Sequence, residues 1–287
     1  MANGRLPSTK VREGAVRTAK CISIIGLLLT AALANPAAAQ ERNSAVAWPP
    51  VLNASKGPTK LALAAPPAHR LNDRTGAQLK NVVIDVIVAY TKKSARNYSY
   101  IERDLIALAI EEANESFRVS DLGHIKLRLV HAYQTDYAEE GGTHFDHVWR
   151  FADKGDGYMD EVHGLRDKYR ADVGILVVDD DKGCGLATRV NAEAEDAFAV
   201  VHHACAAASF SLAHEIGHLL GARHELAYVN GNKWRDIMGL KDSCGGCPRL
   251  PVWSNPTVLA KGEPAGTAAH DNASIIATQA ARVAAFR

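Results

Sequence analysis

The stretch that decides the fold runs from residue 214 to residue 224 and reads HEIGHLLGARH. Residues four apart lie on one face of a helix, so His214 and His218 can aim their imidazoles at one ion. Glu215 follows the first histidine directly. We expect its carboxylate to contact a metal-bound water rather than the metal itself.

The end of this helix supplies a third ligand. Gly221 accepts a positive φ and lets the chain leave the helix sharply, which brings His224 round to the other two histidines. Three neutral histidines plus water form an open, catalytic zinc arrangement. A competing class of zinc site takes a glutamate from a later helix, but the only glutamates downstream of the helix are Glu225 and Glu263. We therefore predict one zinc ion, bound by His214, His218 and His224.

The pattern H-E-x-x-H-x-x-G-x-x-H resembles the zinc motif of the metzincin proteases. Metzincins also have a methionine-containing turn beneath the zinc, and Met238 in RDIMG fits that position. Within the metzincins the chain most resembles bacterial secreted reprolysin-like enzymes of the peptidyl-Asp metalloendopeptidase type. Over residues 80–287 the matching segments are DVIVAYT at 85–91, CGGC at 244–247, WSNP at 253–256, DN at 271–272 and RVAAFR at 282–287. One departure is Glu225, because reprolysin-like enzymes usually carry Asp after the third histidine, whereas astacins and serralysins carry Glu.

The resemblance implies an endopeptidase that acts on a protein or peptide substrate. Glu215 would take the proton of the attacking water and deliver it to the leaving amine. An edge strand would bind the substrate as an added antiparallel strand through Gly185, Leu186 and Ala187. A preference for Asp next to the cleaved bond would need a cation in the pocket wall after the methionine turn. Lys241 and Arg249 are the candidates, and a solvated surface charge is the competing interpretation of each.

Local patterns outside the motif predict an α/β (α+β) domain. Apolar or alternating strands are predicted at 82–90, 126–133, 172–178, 185–190 and 198–202, and helices at 101–119, within 143–170, at 209–220 with Ser209 as N-cap, and at about 272–286. With the resemblance, this order indicates a metzincin-type domain. We expect a twisted mixed sheet with an edge strand for substrate, the helix that carries the zinc motif, and a smaller irregular C-terminal part.

The formal net charge of +1 conceals an asymmetry. Residues 1–39 are basic, and an apolar run at 21–34 is followed by the small residues Ala37, Ala38 and Ala39. This pattern is typical of a secretory signal peptide that is cleaved after Ala39, although a buried N-terminal helix is an alternative. Residues 40–79 are rich in Ala, Pro and Asn and indicate a linker or propeptide. We therefore predict a catalytic domain at 80–287 in a secreted or periplasmic protein with no membrane span after cleavage.

Four cysteines lie beyond the predicted signal: Cys184, Cys205, Cys244 and Cys247. An even number in an exported chain suggests disulfides, and three connectivities are open. Order and spacing favour Cys184–Cys205 and Cys244–Cys247. The second pair also has the spacing of half a zinc site, but the chain contains no second C-x-x-C motif.

Two further clusters invite metal interpretations. His202 and His203 are adjacent, and we favour strand-end or pocket-rim histidines over a second metal pair. The three acids at 179–181 suggest a structural calcium ion, but consecutive acids alternate direction on an extended chain, so a solvated turn is the favoured interpretation.

Composition excludes several classes of protein. Hydrophobic residues make up 47% and charged residues 23%, which is typical of a globular chain and not of a disordered one. There is no basic excess, so no nucleic-acid partner is expected. We also expect a monomer.

Two alternatives to a protease remain. A non-catalytic, zinc-stabilised binding or adhesion module gives no reason for Glu215, and an amidase of the cell wall would be expected to carry a cell-wall-binding repeat, which is not visible.

Overall fold

A computed structural model describes residues 80–287. The signal peptide predicted at 1–39 and the propeptide or linker predicted at 40–79 lie outside the described residues. Among the helices of residues 80–287, none has both the length and the apolar content needed to cross a bilayer.

A five-stranded mixed sheet forms the centre of the described part. Its strands are β1 (Val82–Thr91), β2 (Ile125–Thr135), β3 (Val173–Val178), β4 (Gly185–Ala187) and β5 (Phe198–His202), in the spatial order β2-β1-β3-β5-β4. Neighbouring strands pair in parallel from β2 through β1 and β3 to β5, and β4 runs antiparallel along β5 at the edge. Among the described residues, the sheet therefore ends on a short strand that is paired on one side only.

Helices cover both faces of this sheet. They are α1 (Lys92–Ala95), α2 (Leu108–Val119), α3 (His144–Ala152), α4 (Glu161–Tyr169), α5 (His203–Ala206), α6 (Ser211–Leu219) and α7 (Asn272–Val283). A π-helical stretch, Glu102–Ala107, leads directly into α2. Parallel strands are joined by crossover connections, and the helices in these connections cover the faces of the sheet. A strand such as β3 is therefore buried on both faces, so its residues are apolar throughout instead of alternating with polar ones.

Strand β1 contributes side chains to the apolar layers on both faces of the sheet. Ile84, Val86 and Val88 pack into the core beneath α2, α6 and α7, whereas Ile87 and Ala89 pack against α3 and α4 on the other face. Successive side chains of a strand point to opposite faces, so a run of apolar residues fills both layers.

The C-terminal part is smaller and irregular, as expected. Beyond α6 it contains two short ribbons, β6 (Val229–Asn230) with β7 (Trp234–Arg235) and β8 (Leu259–Ala260) with β9 (Glu263–Pro264), followed by α7. Trp234 is buried in a small apolar cluster of this part. The mixed α/β class and the strand order along the chain agree with the sequence prediction.

Several boundaries differ from the sequence prediction, and two of them lie next to the site. Ser209 is not the N-cap of the motif helix: its amide donates to Cys205 O at 3.1 Å, and the first bond of α6 runs from His214 N to Phe210 O at 2.9 Å. Phe210 is therefore the N-cap, with a left-handed φ of 55°. The edge strand is also shorter than predicted and ends at Ala187.

Both favoured disulfides are formed. Cys184–Cys205 joins the residue before β4 to α5 across a sequence separation of 21, and Cys244–Cys247 closes a tight loop. In the chain-entropy model, a closed loop of the first size stabilises the fold by about 3 kcal/mol.

Candidate active site

Three histidines converge at the end of α6. Their ring centroids are 4.8 Å apart for His214 and His218, 5.0 Å for His214 and His224, and 4.7 Å for His218 and His224. One ring nitrogen of each lies within 4.8 Å of the others. The spacing of the motif therefore does bring the three imidazoles to one point.

Main-chain carbonyls orient all three rings. Nδ1 of His214 lies 2.7 Å from Ile237 O, Nδ1 of His218 lies 2.9 Å from Ala222 O, and Nδ1 of His224 lies 2.8 Å from Met238 O. A carbonyl only accepts hydrogen bonds, so each Nδ1 carries the proton and each Nε2 keeps its lone pair. Three such lone pairs are what a zinc ion requires.

Burial favours the neutral form of two of the three histidines. It lowers the pKa of His218 to about 4, and it lowers the pKa of His214 well below its usual value, with His218 as the next cause. Metals bind neutral imidazole, so proton competition at neutral pH is weak at these two side chains.

The turn after α6 depends on Gly221. It has a φ of 92°, and Ala222 N donates to Gly217 O at 2.8 Å, which closes the end of the helix. The chain then reaches His224 in the 3₁₀ turn His224–Leu226. A left-handed φ of this kind favours glycine, in agreement with the role predicted from sequence.

Met238 lies beneath the histidines. Its side chain is fully buried, and its sulfur would be 3.4 Å from a Cβ placed on Gly217, which lies between the two helical ligands. Its carbonyl holds His224, as described above. The residue thus supports the cluster through its main-chain carbonyl and its packing against Gly217.

Glu215 lies between the histidines and the edge strand. Its side chain is buried, and a Cβ on Gly185 of β4 would lie 2.7 Å from its Oε1. Burial raises the pKa of Glu215 to about 8, and the Ala187 amide and the charge of Arg249 act against that rise. A dication at the histidines would favour the charged carboxylate further.

A family model described as "Metallo-peptidase family M12" (Reprolysin_5) matches residues 80–249. The chain belongs to metallo-peptidase family M12. That family implies a zinc cofactor, and the orientation of the three histidines in this M12 chain fits one, because each offers an imidazole lone pair.

Curated relatives of this M12 chain carry one name. "Peptidyl-Asp metalloendopeptidase" of Xanthomonas campestris pv. campestris is 40% identical over 71% of this chain and 52% of its own length. The protein of the same name from Stenotrophomonas maltophilia strain R551-3 is 37% identical over 75% of this chain and 56% of its own length. The chain therefore spans about half the length of the curated relatives it matches.

A solved structure also shares the fold of the M12 chain. It is titled "Structure of a chaperone-substrate complex" and has a TM-score of 0.59, with 20% identity over 72% of this chain and 35% of that chain. At this identity the similarity concerns the fold alone.

The structure separates the two candidate cations. Arg249 is half-buried near Glu215: its Nη1 donates to Ser209 O at 2.8 Å and its Nη2 to Gly239 O at 3.2 Å, while Nε is buried without a partner. It forms no ion pair with a carboxylate of residues 80–287. Lys241 is exposed in the 3₁₀ turn Lys241–Cys244, and within the described residues its side chain makes no ion pair or hydrogen bond.

Some residues of the site carry no motif. The carbonyls of Ile237 and Ala222 are main-chain groups, so no residue type marks them in a sequence. Trp253 packs directly beneath Gly217, where an added Cβ would meet its ring at 2.4 Å, and its Nε1 donates to Ser116 Oγ at 3.0 Å. The tryptophan lies in the WSNP segment, which is one of the segments that carry the family resemblance. The resemblance does not predict its contact with Gly217.

Proposed function

We propose that this M12 chain is a zinc-dependent endopeptidase with one catalytic zinc ion at His214, His218 and His224. The observation that carries the proposal is the pairing of every Nδ1 with a main-chain carbonyl, which leaves three Nε2 lone pairs free next to a buried carboxylate. A site that only stabilised the fold would have no use for that carboxylate.

In this proposal Glu215 moves the proton. When bound, zinc supplies Lewis acidity toward a water molecule and toward the substrate carbonyl. The Glu215 carboxylate accepts the proton of the attacking water and then donates it to the leaving amine.

Strand β4 would hold the substrate. Gly185, Leu186 and Ala187 pair with β5 on one side only, and they lie directly over Glu215. A peptide added antiparallel to the free side would place its scissile carbonyl beside the histidines. Glycine at position 185 allows β4 to lie this close to Glu215, because any Cβ there would collide with the Glu215 side chain.

Arg249 would recognise an aspartate next to the cleaved bond. Its guanidinium lies near Glu215 and donates only to carbonyl oxygens, so it makes no ion pair within residues 80–287, while Asp236 and Glu215 act on its charge from a greater distance. A substrate carboxylate would supply such an ion pair through charge-assisted hydrogen bonds. The names of the relatives agree with this preference. We assign this role to Arg249 and not to Lys241.

The experiment that tests the proposed function is cleavage of a proteome-derived peptide library by the zinc-loaded chain. We expect cleavage at sites enriched in Asp, loss of cleavage on treatment with a chelator, and recovery when zinc is returned. A His224→Ala chain purified in parallel controls for contaminating proteases and should not cleave. Absence of cleavage by zinc-loaded wild type would contradict the proposal and favour the non-catalytic binding module.

We also propose export and maturation, with a signal peptide at 1–39, a propeptide or linker at 40–79, and a monomeric catalytic domain at 80–287. Two disulfides support an oxidising compartment, secreted or periplasmic. Mass spectrometry of the exported protein tests both boundaries, and a product that retained residues 1–39 would contradict the first.

A further inference from the structure

A second group of potential metal ligands shares no residue with the active site. Asp179 follows β3, His202 ends β5, and His203 begins α5. One ligand atom of each residue lies within 4.8 Å of the others. His203 Nε2 and Asp179 Oδ1 are 3.3 Å apart, close to the ligand–ligand separation of about 3.3 Å that tetrahedral zinc geometry requires.

Neighbouring groups hold two of these side chains in place. The Tyr98 hydroxyl lies 3.1 Å from His203 Nδ1, which leaves Nε2 facing the aspartate. The Asp179 amide donates to both carboxylate oxygens of buried Glu139 at 3.0 Å, so the loop that carries the aspartate is anchored. Fixed orientation by such outer contacts is characteristic of metal-binding histidines.

A simple pair between Asp179 and His203 does not account for the whole group. His202 is 8% exposed, and its Nδ1 is buried without a hydrogen-bond partner. Its ring centroid lies 4.6 Å from that of His203. Two adjacent imidazoles would repel each other if protonated.

We propose that Asp179, His202 and His203 bind a second divalent metal ion, of the class that prefers imidazole, such as zinc. Two imidazoles and one carboxylate exclude calcium as the preferred ion, because calcium binds oxygen ligands. This proposal departs from the interpretations favoured from the sequence, which were a solvated turn at residues 179–181 and strand-end or pocket-rim positions for His202 and His203, and it adds an ion to the one predicted.

The position of this ion indicates a structural role. It joins the end of β3 to the junction of β5 and α5, where His202 N also donates to Cys184 O at 3.0 Å. The Cys184–Cys205 disulfide lies at the same junction. The ion and the disulfide together would fix the segment that enters β4, the strand proposed to bind the substrate.

Zinc content per chain tests the assignment without using activity. The full chain is prepared as Glu215→Gln, so that self-cleavage is avoided while all proposed ligands remain, then saturated with zinc, desalted and analysed by mass spectrometry. We expect two zinc ions per chain. Adding Asp179→Asn or His203→Ala should reduce the content to one, and adding His124→Ala, a half-buried histidine in the turn before β2, should leave two.

A second preparation guards against variants that fail to fold. The His214→Ala/His218→Ala chain lacks the active-site pair, and we expect it to bind one zinc ion and to show a higher Tm with zinc than without. Adding Asp179→Asn should remove both effects.

Three results would overturn the proposal. They are one zinc ion per chain in the saturated Glu215→Gln protein, no zinc bound by His214→Ala/His218→Ala, or loss of the second ion with Asp180→Asn but not with Asp179→Asn. The last result would move the ion to Asp180, whose Oδ2 lies 3.1 Å from His144 Nδ1 and 3.7 Å from His147 Nε2.

Discussion

Arg249 carries the most informative charge of the site at the scale of single residues. Burial lowers its pKa, and Arg235 lowers it further, but a guanidinium remains charged at neutral pH. Its two hydrogen bonds go to main-chain carbonyls, which orient the side chain without cancelling its charge. An oriented cation next to the Glu215 carboxylate would be a selective site for an anionic side chain, as proposed above.

Replacing Arg249 by Gln should therefore remove selectivity more than it removes catalysis. A charge-assisted hydrogen bond contributes about 1.5–3 kcal/mol, so we expect the ratio of kcat/KM for an Asp peptide to that for its Asn counterpart to fall about 10- to 100-fold. The measurement is steady-state hydrolysis of the two matched peptides. Partial loss of folded protein lowers the rates for both peptides equally, so it leaves the ratio of the two kcat/KM values unchanged.

Lys241→Ala provides the control for this prediction, because that lysine is exposed in the same C-terminal part. Its ratio should change less than about twofold, since exposed charges contribute little. An unchanged ratio in Arg249→Gln, or a larger change in Lys241→Ala, would refute the assignment of Arg249.

The two cations also show what the sequence predicts of the site. The proximity of His214 and His218 follows from spacing, because a helix places residues four apart on one face regardless of the rest of the chain. Burial and hydrogen bonds separate Arg249 from Lys241, and these depend on how distant segments pack. The sequence alone offers both residues equally.

At the scale of elements, the fit between α6 and the segment beneath it depends on Gly217. A Cβ there would lie 2.4 Å from Cη2 of Trp253, whose ring stacks on Phe117 and is fully buried. The ring has no room to move, so the helix itself would have to shift.

We expect Gly217→Ala to destabilise the fold by about 1–3 kcal/mol, the usual cost of overpacking a core. The matched control is Gly164→Ala on α4, where an added Cβ meets nothing within 4 Å. That change should be neutral or stabilising by up to about 1 kcal/mol, because alanine favours helices. Thermal unfolding of both variants measures the difference, and equal Tm values would contradict the packing account.

The elements themselves are largely predictable, and their ends are not. Apolar runs and helical periods locate the five strands and the main helices, since burial on both faces of the sheet selects these patterns. The start of α6 is missed because the Ser209 amide is engaged by Cys205 O at the end of α5. This hydrogen bond comes from the preceding helix. The general preference of serine for N-cap positions does not predict it.

At the scale of the whole molecule, the sheet edge and the irregular C-terminal part both reach Glu215. Strand β4 lies against Glu215 from the sheet, and Arg249 approaches the same carboxylate from beyond the methionine turn. The family predicts this division, whereas the contacts across it require the folded chain. Catalysis should depend on Glu215 as the group that links these two parts to the histidines.

The most direct test of the account compares Glu215→Gln with wild type, with zinc content and peptide hydrolysis measured on the same samples. Because general acid–base catalysis contributes about 10²–10⁴-fold, we expect kcat/KM to fall by at least that factor while the zinc content stays equal to that of wild type. A Glu215→Gln protein that contains the wild-type amount of zinc and hydrolyses the peptide at the wild-type rate would contradict the central claim.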